Sequence, residues 1–196
     1  MEVVAEKLGF SYLAGGDAEF LQEAFHALEL FHWGDVRVIG NVLRGSSEGL
    51  KFYVMDYFYR GYGDFSKAFG STISVIQCSE PLPEFTLEPE TLIHKIASCF
   101  GFQDVDIAGY PDFSRRYLLR GPDPQAITTF FEGRVALGLG KETGWTVSCI
   151  EDWLVLCRIG EIASPEDIEA WLRRVCRVSS LFFAKPSCIK HLLHPA

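Results

Sequence analysis

One run of residues, from Leu50 to Tyr59, constrains the fold of this chain more than any other feature of its sequence. The run is rich in β-branched and aromatic side chains, which fit the pleated surface of a sheet better than they fit a helix. A run of similar character, Val36 to Ile39, precedes it, and Gly45 to Gly49 between the two is a turn signal. The two runs therefore predict a β-hairpin.

Two more strands are predicted before the middle of the chain. Ser71 to Cys78 alternates well enough to be a half-buried strand. Pro81 and Pro83 then interrupt the pattern, and proline cannot donate a hydrogen bond to a strand ladder. We therefore expect Glu84 to Leu87 to form an edge strand or an extended link.

A second hairpin is predicted from Trp145 to Arg158, with its turn at Glu151 and Asp152. With a two-residue loop, the numbers of opposed residues sum to 303, which sets Cys149 against Leu154. Because side chains alternate between the faces of a strand, one set of apolar residues is expected on the core side. These residues are Trp145, Val147, Leu154 and Leu156. Arg116 to Leu119 is predicted to be a further strand.

Helices are predicted where apolar residues recur at helical spacing. The first follows Asp17, and the second has Pro89 in its first turn and ends at Gly101. Asp123 is expected to cap a third helix. Ser164 is expected to cap the last one, in a capping box with Asp167. The predicted buried stripe of that last helix is Ile168, Trp171, Leu172, Val175 and Phe182.

These elements together predict the α+β class, with one or two antiparallel sheets and helices packed on one face. A further hypothesis is that the chain contains two β-α-β-β pseudo-repeats. Residues 12–17 precede a helix and a hairpin, and residues 117–123 do the same. We expect a single globular domain over residues 1–185 and a loosely held tail over residues 186–196.

The composition excludes several classes of protein. The chain has 196 residues, 48% of them hydrophobic, which suffices for a sizeable core. Its net charge of −8 opposes non-specific attraction to nucleic acid or to anionic lipid. No apolar run is long enough to span a membrane, and the first ten residues do not resemble a signal peptide. Six cysteines without a Cys-x-x-Cys pair predict reduced thiols and a cytoplasmic location.

The motifs of the common cofactor and catalytic sites are missing from the sequence. Gly61-Tyr62-Gly63 has no third glycine at the spacing of a dinucleotide loop, and it follows a strand into a turn. There is no phosphate-binding P-loop, no Gly-x-Ser-x-Gly elbow and no His-Glu-x-x-His pair. We therefore predict no cofactor, no metal and no catalytic residue.

Asp56 is the first candidate for a ligand-binding residue. It is the only acidic residue of an aromatic strand, and alternation places it on one face with Phe52, Val54 and Phe58. A carboxylate on an apolar face is costly unless it is paired or hydrogen-bonded. One interpretation is a carboxylate in a pocket, and the other is a bond to neighbouring backbone or to an arginine at a strand end. The tyrosines around Asp56, Tyr57 and Tyr59 among them, are expected either to line a binding surface or to pack under helices.

Charged residues in the second half supply the remaining candidates. Asp104 and Asp106 could offer two carboxylates to a hard cation, or they could lie in a solvated loop. Arg116 and Arg120 share a face by alternation and could hold an anion, or they could form salt bridges to nearby acids. His94 lies on the predicted second helix and forms no dyad with Cys99, because five residues on a helix point about 140° apart.

Four blocks of sequence resemble a bacterial family of uncharacterised proteins. They are DYFYRGYG (56–63), LPEFTLEPE (82–90), FGFQDVD (100–106) and PDFSRRYLLRG (111–121). The resemblance implies no activity, and it implies that many members carry an N-terminal membrane anchor, which this sequence lacks. Where the family pattern has a lysine after the Gly-x-Gly and a Gln-Thr-Val in the next strand, this chain has Asp64 and Ser71-Thr72-Ile73. The departures count against a shared anion site at that turn.

The sequence thus favours a non-enzymatic binding or scaffold domain of the bacterial cytoplasm, with a protein or a small molecule as its partner. The alternative is an enzyme with an acid/base pocket around Asp56, His94 and Arg116 or Arg120. General acid–base catalysis needs these groups within hydrogen-bond reach of one substrate. The distances between them therefore decide between the two hypotheses. A weaker hypothesis is peripheral association with a membrane, which the acidic balance opposes.

Overall fold

A computed structural model describes residues 1–15, 36–47, 50–60, 68–91 and 104–183. Within these residues, eight strands form one sheet in which every neighbouring pair is antiparallel. The order across the sheet is β1-β2-β3-β4-β8-β7-β5-β6. The strands are β1 (Ser11–Gly15), β2 (Val36–Ser47), β3 (Leu50–Arg60), β4 (Ala68–Gln77), β5 (Phe85–Pro89), β6 (Tyr117–Arg120), β7 (Thr146–Ile150) and β8 (Trp153–Cys157).

Five helices accompany the sheet in the described part of the chain. They are α1 (Glu2–Lys7), α2 (Pro111–Ser114), α3 (Pro124–Phe131), α4 (Arg134–Leu139) and α5 (Ile168–Ser179). An antiparallel sheet with separate helices is the predicted α+β class. The predicted helices after Asp17 and after Pro89 lie outside the described residues. The pseudo-repeats stay a prediction: β1 pairs directly with β2, whereas β5 separates the corresponding β6 and β7.

The buried side chains form two clusters, one on each face of the sheet. The larger cluster includes Phe52 and Val54 of β3 and buried residues from all five helices, such as Phe131 and Trp171. We call this side the helix face. The smaller cluster includes Met55 and Tyr57 of β3 and defines the opposite face. Because side chains alternate along a strand, the parity of a residue in β3 determines its face.

The two predicted hairpins are confirmed, with one correction. In β7 and β8, Cys149 pairs with Leu154 and Thr146 with Cys157, which is the predicted register. The first hairpin has a shorter turn than predicted, because Gly45 pairs with Phe52 and β2 continues to Ser47. The predicted turn begins at Gly45, but a twelve-residue strand that pairs on both sides of this residue tolerates a glycine there.

The prediction for β5 is wrong in its position. The strand lies between β7 and β6 and is not at an edge. Pro81 and Pro83 precede the strand and so remove no hydrogen bond from it, while Pro89 is its last residue and not part of a helix. Arg116 also falls outside its predicted strand, because β6 begins at Tyr117.

Asp123 caps its helix as predicted, whereas Ser164 caps the turn before the last helix and not the helix itself. Asp123 Oδ1 accepts a hydrogen bond from the Ala126 backbone N–H at 3.0 Å, and Pro124 is the first residue of α3. Before α5, the Asp167 N–H donates to Ser164 Oγ at 3.2 Å, and Ser164 Oγ donates to Asp167 Oδ2 at 2.8 Å. The helix itself starts at Ile168, later than the capping pair suggests.

Candidate functional site

Asp56 lies in the middle of β3, on the helix face, with only 3% of its surface exposed. It pairs with Gly40 of β2 on one side and with Thr72 of β4 on the other. A polar group this deeply buried must be hydrogen-bonded to be tolerated. The partners of its two carboxyl oxygens therefore decide what this residue does.

Both carboxyl oxygens of Asp56 accept hydrogen bonds from side chains of neighbouring strands. Asn41 Nδ2 donates to Oδ2 at 2.8 Å, and Thr72 Oγ1 donates to Oδ1 at 2.7 Å. Asn41 sits at an irregularity in β2, where the register with β3 shifts between Gly40 and Leu43. Its φ of 48° is in the left-handed region, which asparagine tolerates better than most residues. The bulge is what allows Asn41 to reach the carboxyl group from the strand beside it.

The hydrogen bonds continue on both sides of Asp56. Tyr12 Oη donates to Asn41 Oδ1 at 2.9 Å, and the Ala163 backbone N–H donates to Thr72 Oγ1 at 2.8 Å. One network, which we call the Asp56 network, thus joins β1, β2, β3 and β4 to the segment that leads into α5. Each polar group in it bonds to a protein atom. The bonded interpretation of Asp56 is therefore the correct one, with amide and hydroxyl partners rather than the predicted backbone or arginine.

Other polar residues of β4 hold the same connecting segment. Ser71 Oγ accepts from the Gly160 N–H at 2.9 Å, and the Thr72 N–H donates to the Glu161 carbonyl at 2.8 Å. Trp171 Nε1 donates to the buried Ser74 Oγ at 2.9 Å, which fastens α5 to the sheet. Thr72 and Ser74 on the helix face of β4, and Ser71 on the opposite face, thus dock the chain between β8 and α5 and the helix α5 itself.

Tyr57 and Tyr59 point to the opposite face of the sheet from Asp56. Their ring centroids are 5.9 Å apart, and Tyr59 stacks in turn on Phe69 of β4 at 5.4 Å. Burial raises the pKa of the Tyr59 phenol, with a smaller contribution from Cys157. Tyr57 is fully buried, whereas 42% of the Phe69 side chain is exposed. The two tyrosines therefore belong to an aromatic cluster on the opposite face of the sheet and do not share a binding surface with Asp56.

The charged candidates of the second half form local contacts at the far edge of the sheet. Arg120 Nε donates to Asp104 Oδ1 at 2.8 Å, beside an isolated backbone bridge between the same two residues. Ser114 Oγ donates to Asp106 Oδ1 at 3.2 Å. Arg116 is exposed in the turn before β6. The salt-bridge interpretation holds for Arg120, and Asp104 and Asp106 bond to different partners.

The structure does not bring Asp56 together with Arg116 and Arg120. Asp56 is in β3 and Arg120 in β6, five strands away in the sheet. At about 4.8 Å per strand, this is roughly 24 Å along the sheet. Alternation also places Arg120 on the opposite face from Asp56, because Tyr117 and Leu119 belong to the helix-face cluster. An acid/base pocket that uses both Asp56 and these arginines is therefore wrong on geometry. The remaining candidate, His94, lies outside the described residues.

Within the described ranges, no group of three or more histidine, cysteine, aspartate or glutamate residues could hold a metal ion. Among the helices of the same ranges, none has both the length and the apolar character needed to cross a membrane.

Sequence reasoning missed the partners of Asp56. The sequence signal that could have indicated one of these partners is Asn41, because asparagine is depleted in strands and often marks a bulge or a left-handed residue. It also missed a charged group around α5. Glu161 bonds to both Arg158 and Arg174, and the Arg174 guanidinium lies 5.2 Å from the ring centroid of Trp171. Contacts of this kind depend on how distant segments meet, which no local pattern encodes.

Tyr117 is a second buried polar residue that the sequence did not single out. It lies on the helix face of β6, and burial is the main reason that its pKa is raised to about 12. The Trp145 backbone N–H and the guanidinium groups of Arg116 and Arg158 lower the pKa, whereas Glu142 raises it. The phenol is therefore held in its neutral form and is not poised to act as a base near neutral pH.

An open groove lies between α3 and α4, with a volume of about 790 Å³. Phe130, Val135 and Ala126 contribute apolar surface to it, and Asp123, Glu132 and Arg134 contribute charge. Among the described residues, none of those predicted to bind a ligand lines this groove. It is a shallow surface feature and lacks a convergent set of buried polar groups.

Comparison with solved structures identifies a similar fold. The crystal structure of the mycobacterial trehalose monomycolate transport factor A, TtfA, superposes with a TM-score of 0.61. The match covers 92% of this chain and 90% of that one, at 13% sequence identity. No protein-family model matches the chain, and no curated protein matches its sequence. At so low an identity, the likeness to TtfA shows that the two chains share a fold.

Proposed function

We propose that this chain is a non-enzymatic binding or scaffold domain of the bacterial cytoplasm, and that its partner is another protein. The observation that carries the proposal is the Asp56 network. The one buried carboxyl group of the aromatic strand spends both of its oxygens on Asn41 and Thr72. A group used in this way holds strands together, and only 3% of its surface is open to a substrate in solution.

The other predicted ligand-binding residues that the structure describes lie far from Asp56 or on the opposite face of the sheet, and this supports the same proposal. Catalysis by general acids and bases requires groups that converge on a reacting atom. Here the arginines are bonded or exposed at the far edge of the sheet, and the neutral Tyr117 is buried. TtfA, which has a similar fold, is described as a transport factor. That description is of TtfA, and it names no ligand or cargo for this chain.

The state of the cysteines supports the proposed compartment. Cys78, Cys149 and Cys157 are buried and are not joined in disulfide bonds. Cys149 and Cys78 share a thiol–thiol hydrogen bond, which together with burial raises the pKa of Cys149. Buried thiols of this kind fit the reducing environment that we propose.

The proposal is tested by in-cell cross-linking, followed by reconstitution of the complex from purified partner and purified chain. We expect a protein partner that binds with a defined Kd. A thermal-shift screen against metals, nucleotides and metabolites should meanwhile leave the melting temperature unchanged, since a ligand of the native state would raise it. A metabolite that stabilises the chain and is turned over by it would contradict the proposal.

A further inference from the structure

The groove between α3 and α4 has a shape that depends on one glycine. Gly133 separates the two helices and has a φ of 76°, which favours glycine over any residue with a side chain. Its backbone N–H donates to Tyr110 Oη at 2.8 Å, which fixes the corner against the body of the domain. The groove is therefore a built feature of the fold and not an accident of side-chain packing.

The floor of the groove is apolar. Phe130 and Ala126 are half-buried there, and Val135 lies beneath them. Leu137 is 58% exposed and follows Arg134, which lines the groove, by three residues on the same helix. Residues three apart lie on one side of a helix, so Leu137 lies on the side of the rim residue Arg134 and does not line the groove. The apolar floor formed by Phe130 and Ala126 is the kind of surface that partners cover.

The charge around the groove decides what kind of partner fits it. Asp123 and Glu132 are exposed at its rim, against the single positive charge of Arg134. The whole chain carries a net charge of −8. A second copy of the chain would bring the same negative rim and the same net charge, and the two copies would repel each other. A segment that combines apolar and basic residues complements both the floor and the rim.

We propose that this groove docks a basic amphipathic helix of a partner protein, with its leucine-like side chains on Phe130 and Ala126. This inference rests on the proposed binding function and names its surface. Amphipathic helices bind grooves of this kind by placing one apolar face on the floor, while charged residues at their edges fix orientation. The rim carboxylates then act chiefly on the rate of association and on the choice of partner.

The test uses a fluorescent peptide with leucine and lysine at helical spacing, LKKLLKLLKKLLKL, and its counterpart with glutamate in place of lysine. We expect the lysine peptide to bind the whole chain and the glutamate peptide to bind at least about tenfold more weakly. Thr129→Tyr places a ring in the groove from an exposed position of α3, and Glu132→Lys reverses a rim charge. Both variants should weaken binding of the lysine peptide by about tenfold.

Glu166→Lys is the matched control, because it makes the same change of charge at an exposed position that does not line the groove. Equal loss of binding in Glu166→Lys and Glu132→Lys would show general electrostatic attraction and would overturn the inference. Unchanged binding of the lysine peptide to Thr129→Tyr would also overturn the inference. Displacement of the lysine peptide by a peptide of residues 184–196 would overturn it too, because it would assign the groove to the chain's own C-terminal segment. These outcomes leave the proposed function standing. Failure to find any protein partner by cross-linking would remove the proposed function itself.

Discussion

At the scale of single residues, a buried carboxyl group such as Asp56 can serve catalysis or hold strands together, and its hydrogen-bond partners decide which. Asp56 has the burial expected of a catalytic carboxyl group, yet its surroundings are donors from adjacent strands. The local conformation of Asn41 is part of the same arrangement. Its backbone conformation and its side-chain bonds contribute separately to stability, and substitutions can distinguish the two.

Asn41→Gly and Asn41→Ala should both destabilise the fold, by different amounts. Either change removes the bonds to Asp56 and Tyr12, which we expect to cost about 2–4 kcal/mol together. Alanine also has to adopt the φ of 48°, which adds roughly 1 kcal/mol that glycine does not incur. Urea denaturation measures the free energy of unfolding of each variant. Equal stabilities for the two variants would contradict the strained backbone at this position.

Tyr117 predicts how stability depends on pH at the alkaline end. Its pKa in the folded chain is raised to about 12, against about 10 in the unfolded chain. The unfolded state therefore releases its proton first, so the contribution of Tyr117 is intact below pH 10 and is lost as the pH rises toward 12. Spectroscopic titration of phenolate absorbance should show late-titrating tyrosines, Tyr59 among them, and Tyr117→Phe should remove one of them. The same absorbance curve in the variant would show that another residue is responsible.

At the scale of elements, glycines mark where strands and helices approach most closely. A Cβ added to Gly121, just after β6, would lie 2.5 Å from the Glu84 carbonyl oxygen and 2.4 Å from Ile127 Cδ1. A Cβ on Gly70 would lie 2.7 Å from Ile162 Cδ1 and 2.8 Å from the Phe58 ring. Backbone at the first site cannot move without shifting β5, whereas the side chains at the second can turn toward solvent.

Gly121→Ala should therefore destabilise the fold more than Gly70→Ala does. We expect about 3 kcal/mol for the first and about 1 kcal/mol for the second, because overpacking against backbone forces strands apart. Thermal denaturation of the two variants side by side measures the difference. A larger loss for Gly70→Ala would mean that Ile162 and Phe58 are held more rigidly than their partial exposure indicates.

Much of the element scale could be predicted from sequence, for reasons that individual elements make clear. The β7–β8 hairpin has a two-residue turn and strict alternation, so its register followed from local information. Asp123 fixed the start of α3 because a cap is a local hydrogen bond, whereas Ser164 bonds within the turn before α5. The position of β5 did not follow, since its neighbours β6 and β7 come much later in the chain. Pairing between distant strands depends on the whole sheet, and prolines outside a strand do not decide it.

At the scale of the whole molecule, one sheet separates the polar groups that could have formed a catalytic site. Asp56 lies near one side of the sheet and the Asp104–Arg120 pair at the other edge, on the opposite face. The candidate residues could be found in the sequence, but the strand order could not. Asp56 and Arg120 could therefore be assigned to one predicted pocket although they lie on distant strands. A fold shared with TtfA at 13% identity shows that the architecture persists when most side chains differ. Function in such a fold has to be sought on its surfaces, such as the groove between α3 and α4.

The central claim is that the hydrogen bonds of the Asp56 network are structural, and two threonine-to-valine substitutions test it most directly. Thr72 and Thr146 are both buried strand residues, 1% and 4% exposed. Thr72 Oγ1 bonds to Asp56 and to the Ala163 N–H, whereas Thr146 Oγ1 has no hydrogen-bond partner in the part of the chain that the structure describes. Valine has nearly the same shape as threonine, so the difference between the two variants reports the hydrogen bonds.

The measurement is the free energy of unfolding of Thr72→Val and Thr146→Val in urea. We predict a loss of about 2–4 kcal/mol for Thr72→Val, because the Ala163 N–H and one oxygen of Asp56 lose their partner in the interior. We predict a change within about 1 kcal/mol for Thr146→Val, or a gain, because a buried hydroxyl without a partner contributes nothing favourable. Equal effects of the two substitutions, or an intact stability in Thr72→Val, would contradict the structural role of the network and return Asp56 to the list of groups available for chemistry.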